Sequence, residues 1–183
     1  MNPLMVVDVQ PGYSSAIMPW MPGAILQAMR QTDEDVPILI VSVNEELTGD
    51  TPASIEMFWQ DHGMDDELFS RVTFLEKPYA FFRGWMDNGV DEDEIVATVQ
   101  TLRKHRVGDS RNLDSSLLAE IAPHGHTLAS PLYLPWELEE QRAYRQPAWR
   151  LCGGARDECL KEVELWLASM CIGFERLDHL VYG

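Results

Sequence analysis

Three residues suited to acyl transfer stand far apart in the chain, each where a predicted strand gives way to a turn. Asp8 closes the apolar run in LMVVDVQPGY (4–13). Lys77 closes RVTFLEK (71–77), and Cys159 follows the glycines of AWRLCGG (148–154) at the start of a predicted helix. A helix start offers unpaired N–H groups and the positive end of its dipole. Both favour thiolate over thiol, so a depressed cysteine pKa is expected. The same N–H groups can hold the oxyanion formed when a thiolate attacks a carbonyl. An aspartate nearby can take the thiol proton and pass it to a leaving amine. A lysine between them keeps the aspartate charged and stabilises the thiolate. Taken singly, each residue also has an ordinary role: a turn or cap, a solvated strand end, a small packing residue.

These residues need a scaffold that gathers strand ends. Residues 3–9, 36–44 and 71–77 are short apolar runs that read as strands, as do 148–154 and 174–183. Between them lie amphipathic segments: 19–31, 53–63 ending at Gly63, 89–108, 114–122, 127–144 after a short strand, and 157–173. In the segment 89–108, Asp91 and Glu94 fit a capping box, and Arg103, Lys104 and Arg106 suit the far end of the dipole. Strands alternating with helices predict an α/β fold built on a mostly parallel sheet. No repeat or low-complexity linker divides the 183 residues, which read as one domain. In such sheets, ligands bind beyond the carboxyl ends of the strands, where Asp8, Lys77 and Cys159 fall.

At these places the chain resembles the isochorismatase-like cysteine hydrolases, a family that includes nicotinamidases and carbamoyl-amide hydrolases. VVDVQPGY is similar to the family's opening strand with its Asp-x-Gln, EKPYAFF to its lysine segment, and CGGARDECLKEV to its cysteine turn. The resemblance implies a three-layer, Rossmann-like fold with helices on both faces of the sheet. It implies a Cys159–Lys77–Asp8 triad, and an oxyanion hole from the backbone N–H groups of Glu158 and Cys159. Family members often assemble, so a homo-oligomer is a further implication. The stretch from Lys77 to Cys159 is longer than is usual, and residues at about 105–147 read as an insertion. The family commonly has a threonine before its cysteine, often with a cis peptide nearby; here Arg156 stands at the threonine place. The chain after Gly173 is short for the family, so its usual last elements are expected to be missing.

Around the triad, Gln10, Tyr13, Phe81, Trp85 and Arg156 are candidate substrate-binding residues. Gln10 reads as a support for the turn after Asp8 or as an exposed side chain. The aromatics, with Trp20 and Phe82, wall a pocket for a flat substrate or fill the core. Arg156 binds a substrate carboxylate or pairs with a neighbouring acid. Cys152 reads as core and Cys171 as structural. The zinc motif of nicotinamidases has no counterpart after the second strand, where Asn44 and Glu45 stand, and His124 with His126 reads as a surface turn. No metal and no cofactor are therefore expected.

The charge narrows the classes of function. With 14 basic and 30 acidic residues the net charge is −16, which argues against phosphate backbones and anionic lipid. No apolar stretch nears the about 20 residues of a membrane span. The first residues, MNPLMVVDVQ, do not read as a signal peptide, and three cysteines suggest free thiols in the cytoplasm. The expectation is a cysteine hydrolase that cleaves a small amide or related C–N bond through a thioester. A catalytically weak scaffold serving binding or assembly is the alternative, and ether cleavage of a chorismate-like substrate is a third reading.

Overall fold

The computed structural model describes residues 2–43, 48–77, 80–105 and 145–183. The predicted helices at 114–122 and 127–144, residues 106–144 of the predicted insertion at about 105–147, Asn44, Glu45, His124 and His126 lie outside the described residues.

Five strands form one parallel sheet: β1 (Leu4–Val7), β2 (Ile38–Val43), β3 (Val72–Lys77), β4 (Ala148–Gly154) and β5 (Gly173–Tyr182). Their order is β3-β2-β1-β4-β5. The chain builds outward from β1 on one side, then returns to add β4 and β5 on the other. The point of reversal lies between β1 and β4, where an open α/β sheet leaves a crevice at its carboxyl edge. Asp8 and Cys159 flank that point.

Alternation along the strands assigns each side chain to a face, since successive residues point to opposite sides. Met5, Val7, Leu39, Val41 and Leu151 face one helical layer, while Leu4, Val6, Ile38, Ile40 and Cys152 face the other. The second layer holds α1 (Met21–Arg30), α2 (Pro52–Asp61) and α3 (Asp66–Arg71) through Ile25, Met29, Trp59 and Leu68. The first holds α4 (Arg83–Asp87), α5 (Glu92–Lys104) and α6 (Cys159–Ser169) through Trp85, Ile95, Val99, Leu160 and Trp166. The fold is thus a three-layer α/β arrangement with helices on both faces. No helix among the described residues is long and apolar enough to cross a membrane.

Local signals explain most boundaries. The Thr51 side chain and Ser54 form a reciprocal cap on α2. Asp91 caps α5 by accepting from the Asp93 N–H at 2.9 Å, where Glu94 was the predicted partner in a capping box. The short helices α3 and α4 were not predicted, because one or two turns give no readable period. Cys171, read as structural, is exposed, with φ +57 just past α6, a position glycine usually fills.

Candidate active site

The site is built at the carboxyl edge by backbone that is unusually constrained. Asp8 follows β1 with φ +52, a left-handed conformation that aspartate tolerates better than most residues. Two bonds hold it there. Its N–H donates to the Val41 carbonyl at 2.9 Å, and the Tyr182 hydroxyl donates to its carbonyl at 2.7 Å. Across the crevice Gly153 has φ +102, and a Cβ there would lie 2.0 Å from the Val7 carbonyl oxygen. Only glycine lets β4 run this close to β1. The Gly154–Ala155 peptide is cis, and α6 begins at Cys159.

The three residues read as a triad come together. Lys77 Nζ lies 2.9 Å from Asp8 Oδ2, and both side chains are wholly buried. The Cys159 thiol lies close enough to the Asp8 carboxyl for each to shift the other's titration. The ring of Phe81 lies beneath the ammonium, with Nζ 5.5 Å from its centroid.

Electrostatics at the thiol depart from the depressed pKa expected of a helix start. Burial pushes the Cys159 thiol up to about 11; the charge of Asp8 adds to this, and Lys77 and Arg83 oppose it. Desolvation and an adjacent carboxylate outweigh the dipole here. Burial likewise holds the Asp8 carboxyl above its usual range, against the pull of Lys77. For Lys77 burial acts downward, but Asp8 and Cys159 outweigh it, so the ammonium stays charged. The thiol therefore rests protonated and the ammonium charged, while the Asp8 carboxyl is pulled up by burial and down by Lys77.

The two backbone N–H groups that the resemblance assigns to an oxyanion hole, those of Glu158 and Cys159, differ in what they already bond. The Glu158 N–H already donates to the Ala155 carbonyl at 3.1 Å, whereas the Cys159 N–H has no acceptor among the described residues. One donor stands ready at the sulfur rather than two.

Most of the candidate substrate-binding residues serve the fold instead. Gln10 is fully buried. Its amide oxygen accepts from the Val43 N–H at 2.9 Å and its amide nitrogen donates to Asp50 at 2.7 Å, which ties β1 to β2 and to the following turn. Phe81 and Trp85 are 1% and 3% exposed, in the core under α6. Trp85 is the buried residue of α4, and Phe81 packs into the same core from the segment before it. Arg156 pairs with Asp178 of β5 at 2.8 Å, so the neighbouring acid takes it. Tyr13 remains half-buried at the site side of β1, and Trp20 is exposed.

Three residues at the site were missed in the sequence. Arg83 Nη2 donates to Cys159 Sγ at 3.3 Å. Glu162, 1% exposed, accepts at 2.7 Å from each of the Phe81, Phe82 and Arg83 N–H groups. Tyr182 holds the Asp8 carbonyl. Glu162 did leave a signal: an acid three residues after Cys159 shares its helix face, so it could not point to solvent if the cysteine points inward. Arg83 and Tyr182 left none. Among the described residues no group of metal-ligating side chains gathers here or elsewhere. Set against protein families, curated proteins and solved structures, the chain matches none.

Proposed function

We propose that the chain is a cysteine hydrolase of the isochorismatase-like type, acting on a small amide or related C–N bond. One observation carries this: a buried aspartate is paired with a lysine and electrostatically coupled to a cysteine at the switch point of a parallel sheet. Buried charges are costly unless they serve some purpose, and perturbed titrating groups cluster at functional sites.

The chemistry begins from the protonated thiol and needs Asp8 in its carboxylate form, which the ion pair with Lys77 favours. Asp8 takes the Cys159 proton as the sulfur attacks the substrate carbonyl. The carbonyl π bond opens and its oxygen gains the charge, accepted by the Cys159 N–H. The C–N bond then breaks, and Asp8 returns the proton to the departing nitrogen. Water attacks the resulting thioester, gives one proton to Asp8, and the C–S bond breaks. That proton returns to Cys159, so the sum is amide plus water to acid plus amine. Lys77 holds Asp8 in place and balances it while it is charged. The three cysteines are free thiols, which suits the reducing compartment assumed in this proposal.

A panel of small amides assayed for ammonia or amine release tests the proposal, with Cys159→Ala as the blank. Turnover that vanishes in the variant is the expected result. Equal rates in both proteins, or no turnover across the panel, would reject it. Two observations favour a second reading, a scaffold with weak catalysis: the thiol is pushed up to about 11, and the Glu158 N–H is occupied. That reading expects saturable binding of small amides without turnover.

A further inference from the structure

We infer that Arg83 is the cation that holds the Cys159 sulfur as a thiolate once its proton has passed to Asp8. This rests on the hydrolase reading of the site and goes beyond the triad. Proton transfer from sulfur to Asp8 creates a sulfur anion and removes the carboxylate charge. A cation must then face the sulfur itself. Among the described residues the charged and titratable groups around the thiol are Asp8 after β1, Lys77 at the end of β3, Arg83 on α4, Glu158 and Glu162 at the start of α6, and Tyr182 on β5. Only two of these are cations. Lys77 also favours the thiolate, but its ammonium is bound to Asp8 at 2.9 Å and acts on the sulfur through its charge. Arg83 is the one whose donor meets the sulfur, at 3.3 Å.

The position of Arg83 is not incidental. Its Nη1 pairs with Glu158 at 2.6 Å and its Nη2 with Glu162 at 3.2 Å. Glu162 also gathers the N–H groups of residues 81–83, so one carboxylate fixes both the backbone and the side chain of the arginine. A planar guanidinium held at two corners has its remaining donor direction set. Two acids would suffice to satisfy a purely structural arginine, and the contact with sulfur is additional to them. The side chain is 16% exposed, so water screens the interaction little.

The test reads the thiolate, not turnover. Iodoacetamide alkylation of Cys159 is followed at pH 8 by peptide mass, in the wild type, R83M, R83Q and R83K, with thermal melting to check the fold. Loss of the cation predicts alkylation about tenfold slower, or more, in R83M, since one pKa unit is a factor of ten in thiolate. R83Q keeps a donor for Glu162 without the charge and should be as slow, which covers the case in which R83M fails to fold. R83K should recover most of the rate. Alkylation of folded R83Q at the wild-type rate overturns the inference. If the neutral variants are slow while no amide is hydrolysed, Arg83 keeps its role and the hydrolase proposal fails. If Cys159-dependent hydrolysis persists while R83Q alkylates normally, the reverse holds.

Discussion

Lys77 ends β3 and Asp8 follows β1, two strands that never pair because β2 runs between them, yet their charged groups lie 2.9 Å apart with no exposure. Neighbouring strands are about 4.8 Å apart, so the lysine must reach over a whole strand to meet the carboxylate. The long, flexible stem of lysine suits that reach, and the core above β2 removes the water that would otherwise screen the pair.

Breaking this pair leaves a buried charge without its partner. Lys77→Met should lower stability by about 3–5 kcal/mol in urea unfolding, with Asp8→Asn in the same range and the double variant recovering much of the loss. The pH dependence has a definite sign. The Lys77 ammonium is held above its ordinary 10.5 in the fold, so its contribution is complete below that pH and fades as pH rises through the folded value. The stability gap between wild type and Lys77→Met should narrow above about pH 10.5. A gap that is constant into strong alkali would contradict this.

Alkylation of Cys159 reports the resting proton. With the thiol pushed up to about 11, its iodoacetamide rate should climb steadily from neutral pH toward that value, about tenfold per unit. Cys152, wholly buried and pushed up to about 12, should react more slowly throughout. A plateau of the Cys159 rate near pH 7 would mean a thiolate is already present at rest.

Gly153→Ala tests the close approach of β4 to β1. The new methyl would sit 2.0 Å from the Val7 carbonyl oxygen at a residue with φ +102. Since neither backbone can yield without breaking ladder bonds, a loss of about 3 kcal/mol or more is expected. Gly63→Ala, where a Cβ meets nothing within 4 Å, is the control for positive φ alone. Similar unfolding midpoints for the two variants would show that the contact with Val7 is not the cause.

Glu162→Ala would strand three N–H groups at once, two buried and one partly buried. Each unsatisfied donor costs about 1–3 kcal/mol, so the total should reach about 3 kcal/mol or more. Glu162→Gln keeps an acceptor and loses only the charge assistance, so its loss should be about half or less. Equal stability of the alanine variant and the wild type would remove Glu162 as the anchor of residues 81–83.

The framework was legible because its signals are local. Runs such as PILIVSV and the stripe Leu160, Val163 and Leu167 declare their periods within a few residues, and each boundary of β4 and β5 falls within a residue of the segment read from sequence. Asp8, Lys77 and Cys159 were legible as strand-end and helix-start residues for the same reason. Gln10, Phe81, Trp85 and Arg156 were legible only as types able to bind substrate. What they do instead depends on partners 33 or more positions distant, such as Val43 for Gln10, or on an acid across the site, such as Asp178 for Arg156.

By itself the sequence determined an α/β chain with its strands in the right places and an acid, an amine and a thiol at their carboxyl ends. Tertiary structure alone decided that Lys77 crosses β2 to reach Asp8, that Arg83 meets the sulfur, and that burial raises the thiol instead of the helix lowering it. The division has a physical cause. Periodicity and capping act over one or two turns of chain, whereas desolvation and ion pairing depend on what the fold brings alongside.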